Sequence, residues 1–200
     1  MIAIVDYGMG NLRSVTNAFR SLGAEISVTR DPAVIRDARA LVLPGVGAFG
    51  KCVENLRKFD LFDLLKEEIA AGKPYLGICL GMQILLESSE EAPGVQGMGV
   101  IKGRVVRFQG AMKIPHMGWN SVDITRPGKI LDAIPSGSYF YFVHSYYPDP
   151  TEDVAATFTE YGVRFASSIQ KENVFASQFH PEKSQHIGLR LLRNFVSLCA

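Results

Sequence analysis

The stretch KPYLGICLGMQILL, residues 73–86, constrains the fold more than any other. Pro74 ends whatever precedes it, and residues 75–79 form an apolar run of the length of a buried strand. Residues 80–86 are apolar at helical spacing with no breaker after Gly81, which predicts a helix. Cys79 therefore stands at a strand-to-helix turn between Gly77 and Gly81. This is the nucleophile-elbow pattern, Gly-x-Cys-x-Gly, with sulfur in place of a serine oxygen. Small flanking residues let the chain turn sharply and present the side chain at the carboxyl edge of a sheet. The amides of Leu80 and Gly81 open the helix, and a helix N-terminus favours an anion, whether a thiolate or a developing oxyanion. The plainer reading is a small core cysteine beside a packing glycine. The pattern needs partners elsewhere in the chain to carry chemistry.

The rest of the first half repeats strand and helix. Residues 2–5 are a short apolar strand; Asn11 caps a helix with Leu12, Val15, Phe19 and Leu22 on one face, and Gly23 ends it. A second strand covers 25–29, and Asp31-Pro32 starts a short helix. Leu41, Val42 and Leu43 form a third strand ending in PGVGAFG. Helical spacing follows through Val53, Leu56 and Phe59, then from an Asp60 cap through Leu61, Leu64, Leu65 and Ile69 to Gly72. Uniformly apolar strands alternating with helices predict a parallel sheet covered on both faces.

After Ser89 the pattern changes to strand-like segments at 100–108, 138–147, 154–161, 163–169 and 174–179, with tight turns at Tyr161-Gly162 and 171–173. A last helix is expected over 187–198. The expected fold is α/β: a flavodoxin-like, mostly parallel sheet with helices on both faces and an antiparallel extension in the second half. Residues 1–200 are expected to form one domain.

Charge and cysteine usage narrow the function. Lys and Arg total 21 against 20 Asp and Glu, and no basic stripe marks any element, so nucleic acid is not expected as a partner. No apolar run approaches membrane-spanning length, and the opening MIAIVDYG lacks the basic start of a secretory leader, which points to the cytoplasm. The three cysteines Cys52, Cys79 and Cys199 are too few and scattered for a disulfide framework or a metal site, so neither metal nor cofactor is expected.

A cysteine nucleophile needs a base, and the base an orienting group. Of His116, His144, His180 and His186, His180 follows the apolar strand 174–179 directly, in QFHPEKS. Pro181 cannot continue that strand, which leaves His180 in a loop at its end. Glu182 is two residues on; in an extended segment both side chains point the same way, so the carboxylate can hold one imidazole nitrogen while the other faces the thiol. A merely polar loop is the alternative. In PGVGAFG, Gly45, Gly47 and Gly50 formally match a dinucleotide fingerprint. That fingerprint belongs after the first strand of its unit and runs straight off the strand, whereas this loop follows the third strand and is preceded by Pro44. A backbone nest offering amides to an oxyanion, or a plain glycine turn, are the other readings.

YGMGNLRSV, LPGVGAFG, GICLGMQ, PHMGWN, YFVHSY and QFHPEKS together resemble a class I (triad) glutamine amidotransferase along essentially the whole chain. GICLGMQ with QFHPEKS carries the superfamily resemblance; PGVGAFG and PHMGWN resemble the branch of glutaminase subunits of imidazole glycerol phosphate synthases, in histidine biosynthesis. The resemblance implies Cys79 as nucleophile, His180 as general base and acid, and Glu182 as its orienter. It implies an oxyanion hole from Leu80, Val46 and Gly47. It implies glutamine contacts at Gly45, Gln83, Glu91, His144 and Ser145, with Glu91 pairing the substrate's α-ammonium. The implied partner is a cyclase subunit with a (βα)₈ barrel, forming a heterodimer, that receives ammonia and makes imidazole glycerol phosphate and an aminoimidazole ribotide. Asn11, Trp119 and Tyr141 are the expected interface residues, with Trp119 in a Pro-bounded loop. His116 reads as structural or interfacial, and His186 as exposed. A cysteine peptidase on a similar sheet, a non-catalytic binding module and an amidotransferase serving another acceptor are the competing readings.

Overall fold

The computed structural model describes residues 1–199. The apolar runs of the first half become β1 (Ile2–Val5), β2 (Ile26–Thr29), β3 (Ala40–Gly45) and β4 (Tyr75–Cys79). Between them lie α1 (Leu12–Ser21), α2 (Pro32–Asp37), α3 (Phe49–Lys58) and α4 (Leu61–Ala70). Two of the three expected caps act as the sequence expects: the Asn11 side chain accepts from the Ser14 amide, and Asp31 accepts from Ala33 with Pro32 in the first helical turn. Asp60, expected to cap α4, instead takes a left-handed conformation at φ +56° and its side chain makes no cap bond. β4 runs into α5 (Leu80–Gln83). The second half adds β5 (Ser88–Ser89), β6 (Gly103–Arg107), β7 (His116–Ile124), β8 (Ser138–His144), β9 (Tyr146–Pro150), β10 (Ala155–Glu160), β11 (Arg164–Lys171), β12 (Val174–Ser177) and α6 (Gln185–Leu198).

The main sheet has the order β2-β1-β3-β4-β12-β11-β10-β7-β8. The pairs from β2 to β12 are parallel, and those from β12 to β8 antiparallel. The first five strands thus reproduce the flavodoxin-like order, with β12 in the fifth place. A small second sheet, β5-β6-β9, stands beside it. Buried side chains of α2, α3 and α4 pack on one face of the main sheet, and those of α1 and α6 on the other. β3, β4 and β12 are neighbours, so the PGVG loop, the Cys79 turn and the segment carrying His180 all leave the same carboxyl edge.

Three segments differ from the sequence reading. The elbow helix is a single turn, not seven residues long. After Gln83 the backbone pairs sideways: the amides of Met98, Gly99 and Ile101 donate to the carbonyls of Ile84, Leu86 and Leu85. One turn sums few peptide dipoles, so stabilisation of an anion there rests on individual amides and not on a macrodipole. The expected loop around Trp119 is the strand β7, paired along its length with β8. Pro115 before it, Gly118 inside it at φ +126° and its mixed burial hide the period-2 signal. The expected strand 138–147 is two strands, β8 and β9, in different sheets, divided at Ser145.

Candidate active site

Cys79 ends β4 with φ +55° and ψ −106°, a conformation that a residue with a Cβ adopts only under constraint. The constraint is close backbone packing. A Cβ on Gly81 would lie 1.9 Å from the Leu43 carbonyl oxygen, and one on Gly77 would lie 2.4 Å from the Gly81 oxygen. α5 is therefore seated on β3 with no side chain between them, and the Tyr75 hydroxyl, donating to the Gly81 carbonyl at 2.8 Å, fastens it. Gly45, expected among the glutamine contacts, ends β3 in register with Cys79. It lies beneath the turn, where a Cβ would come within 2.7 Å of the Leu80 Cβ and of the Tyr7 hydroxyl.

His180 follows β12 and is pinned to β8. Its amide donates to the Tyr141 carbonyl at 2.9 Å. The Ser184 hydroxyl donates to the His180 carbonyl at 2.7 Å and accepts from the Tyr141 amide at 3.0 Å. Residues Pro181–Lys183 form a 3₁₀ turn, so a turn and not an extended segment brings Glu182 back to His180. Glu182 Oε1 accepts from His180 Nδ1 at 2.8 Å, both side chains being 1% exposed. That bond orients the ring and leaves Nε2, which is buried, as the nitrogen that can take up or give a proton on the cleft side. Burial opposes charge on the imidazole, but the Cys79 sulfur and the Glu182 carboxylate outweigh it and push His180 up to about 10.

Cys79 opens into a cleft of about 360 Å³ whose wall includes Val46, Gly47, Leu80, Gln83, Glu91, His144 and Ser145. That volume suits a small molecule. A larger groove of about 980 Å³ beside Leu131 and Asn194 contains neither cysteine nor histidine. Gly47 takes φ +105°, which lets the PGVG loop bend over the cleft. Glu91 is tied to the far end of that loop: its Oε2 accepts from the Phe49 amide at 2.7 Å, supplying the start of α3 with the cap that Ala48 cannot. Gln83 is buried, with Nε2 donating to the Tyr146 carbonyl and to Gln178 Oε1, each at 2.9 Å. Its amide nitrogen is committed, and only its carbonyl oxygen can accept from a ligand.

The remaining expected residues lie around this edge. Trp119 on β7 and Tyr141 on β8 are cross-strand partners, with ring centroids 6.2 Å apart. Trp119 is 47% exposed and sits with Met117 and Tyr139 in an apolar patch. Asn11 is at the start of α1, and His186 is exposed in the first turn of α6. Cys52 and Cys199 are buried away from the cleft, and burial pushes their thiols up to about 12 and about 11. Among the described residues, no three His, Cys, Asp or Glu side chains gather as a metal site. Sequence reasoning missed the pairing of His116 with His144 and the placing of Gln178 beside Cys79. The second had a signal, a polar residue inside an apolar strand run two positions before His180.

The family model described as glutamine amidotransferase class-I matches residues 3–198. The chain belongs to the class-I glutamine amidotransferases. It is 52% identical over 198 residues to the imidazole glycerol phosphate synthase subunit HisH of Methanothermobacter thermautotrophicus, covering 99% of this chain and 98% of that one. It is 50% identical over 204 residues to the HisH subunit of Syntrophotalea carbinolica, covering 98% of each. A crystal structure of a glutamine amidotransferase, 19% identical, superposes with a TM-score of 0.78 over 99% of this chain and 98% of that one. That likeness is one of fold.

In this family member His144 and His116 form a buried polar chain whose protons are all determined. The Tyr146 carbonyl can only accept, so His144 Nδ1 donates to it, at 2.8 Å. His144 Nε2 must then accept from His116 Nδ1 at 2.9 Å, and His116 Nε2 accepts from the Asn120 side-chain nitrogen at 3.2 Å. Both rings are neutral in this arrangement. Burial depresses both histidines, His116 to about 4 and His144 to about 3. The unfolded chain takes up these protons below its ordinary value near 6.5, and the folded chain does so only at those lower values. This contribution to stability is therefore complete above pH 6.5 and is lost as pH falls toward 4 and then 3. The urea midpoint should drop across pH 6.5–4, with a shallower drop in His116→Asn; parallel pH profiles would contradict the assignment.

Proposed function

We propose that this chain is the glutaminase subunit of an imidazole glycerol phosphate synthase. It hydrolyses L-glutamine and passes ammonia to a cyclase subunit with a (βα)₈ barrel, which makes imidazole glycerol phosphate and the ribotide AICAR. The supporting observation is Cys79 in the wall of a cleft, its sulfur acting on the buried imidazole that Glu182 holds; kinship with the HisH subunits supports the choice of acceptor. Residues 1–200 act as one amidotransferase domain working in the cytoplasm.

The sulfur attacks the side-chain amide carbon of glutamine. Amides of Leu80 and of the Val46-Gly47 loop hold the tetrahedral oxyanion. His180, protonated at neutral pH, gives its proton to the departing nitrogen, leaving ammonia and a glutamyl thioester. Water, losing a proton to His180 Nε2, adds to the thioester carbon; the carbon–sulfur bond breaks with its electron pair left on Cys79, and glutamate leaves. Glu91 pairs the substrate's α-ammonium with the oxygen not used at Phe49, and Gln83 accepts through its carbonyl oxygen. The backbone around His144 and Ser145 closes the pocket.

Ammonia released to neutral water is protonated and no longer a nucleophile, so the product is useful only if it passes directly to an acceptor. Trp119, Tyr141 and Asn11 form the docking face in this reading, with the apolar patch on β7 and β8 adjoining the cleft through Val143. The PGVG loop turns its amide inward when the partner is occupied. Glutamate release should therefore rise from the chain alone, to the complex, to the nucleotide-loaded complex; equal rates in all three would overturn the coupling.

Glu91→Gln keeps an oxygen for the Phe49 amide and removes only the charge. It should raise KM for glutamine about tenfold with little change in kcat or melting temperature, as expected for losing a hydrogen bond to a charged group. An unchanged KM would remove Glu91 from the ammonium site.

A further inference from the structure

Gln178 has no part in the scheme above, yet its side chain touches the reacting atom. It lies between β12 and His180, is 0% exposed, and its amide donates to the Ser167 carbonyl at 2.9 Å. Its side-chain nitrogen stands 3.5 Å from Cys79 Sγ, within the range of an N–H···S hydrogen bond. A carboxamide can face a sulfur with either end, but here only one end is possible. The Tyr146 carbonyl accepts from His144 Nδ1 at 2.8 Å and from Gln83 Nε2 at 2.9 Å, so the nitrogen of Gln83 must lie on that side. The second hydrogen of that nitrogen goes to Gln178 Oε1 at 2.9 Å. With its oxygen taken, Gln178 can present only its N–H₂ to the sulfur. A backbone carbonyl thus fixes, through two buried amides, a donor aimed at Sγ.

We propose that Gln178 is a catalytic residue that donates to the sulfur whenever it carries negative charge, with Gln83 as its positioning residue. The donor contributes most as the thioester is hydrolysed: water adds to the thioester carbon, its proton goes to His180, the carbon–sulfur bond breaks, and the electron pair stays on sulfur. A hydrogen bond to an anion is stronger than one to a neutral thioester sulfur, so the donor favours departure. The inference rests on the glutaminase reading and deepens it.

Two substitutions separate this role from a structural one. Gln178→Glu keeps an oxygen for Gln83 but turns an acceptor toward the sulfur; Gln178→Met keeps the volume and removes both functions. Steady-state glutamine hydrolysis is measured for the full chain with the cyclase subunit. Both variants should lose about tenfold or more in kcat, and because the loss falls on thioester hydrolysis KM for glutamine should fall by the same factor, leaving kcat/KM within about twofold of wild type. Either variant folded and retaining kcat within about twofold, or changing KM alone, would overturn the role. If Gln178→Met does not fold, Gln178→Glu decides. A wild-type complex that releases no glutamate would instead overturn the glutaminase reading itself, which separates the two failures.

Discussion

Cys79→Ala should lower glutamine hydrolysis by at least ~10⁴-fold while leaving the chain folded. Removing the sulfur removes the atom that forms the thioester, and no neighbour can substitute. Cys52 and Cys199 are buried outside the cleft, with thiols pushed up to about 12 and about 11. What remains is a cleft that binds glutamine and polarises its amide without an attacking group, and such residual catalysis falls far short of the intact triad. The turn itself keeps a Cβ at φ +55°, so its backbone strain is unchanged. The melting temperature should therefore move little compared with the loss in rate. Hydrolysis within about tenfold of wild type would show that another group attacks the amide.

Gly81→Ala should be the most damaging conservative change in the elbow. The added Cβ would stand 1.9 Å from the Leu43 carbonyl oxygen, a backbone atom held in the centre of the sheet. Neither side can yield cheaply: β3 is locked between β1 and β4, and α5 is a single turn fastened by Tyr75. The expected cost is roughly 4 kcal/mol or more, with activity lost because Cys79 must shift with the turn. Gly72→Ala is the matched comparison. It has φ +89° but nothing within 4 Å of a new Cβ, so it should cost only about 1 kcal/mol, through backbone conformation alone. Urea unfolding of the two variants separates close approach from left-handed backbone; equal midpoints would contradict the packing account.

The parts of this site carried by covalent neighbourhood were legible in the amino-acid sequence. Cys79 between two glycines, His180 after an apolar strand and Glu182 two residues on can each be read along the chain. The parallel strands β1, β3 and β4 were legible because both their faces are buried and their composition is nearly uniformly apolar. The rest depends on what meets across the sheet. The turn of residues 84–86 into pairing with 98–101 depends on a distant backbone, so apolar spacing alone overran the helix. β7 was hidden because Met117 and Trp119 stay exposed while His116 is buried, the reverse of a polarity pattern. Glu182 reaches His180 by a 3₁₀ turn, although the extended geometry expected from spacing led to the same pair. The close packing of Gly45 under the turn is visible only once Leu80 and Tyr7 are placed against it.

The central claim is that Cys79, and no other cysteine, attacks the side-chain carbon of glutamine. Peptide mass spectrometry of the chain after exposure to an electrophilic glutamine analogue tests it most directly. The account predicts one covalent adduct, on Cys79, suppressed by excess glutamine and absent from Cys79→Ala. An adduct on Cys52 or Cys199, or none on Cys79, would contradict it.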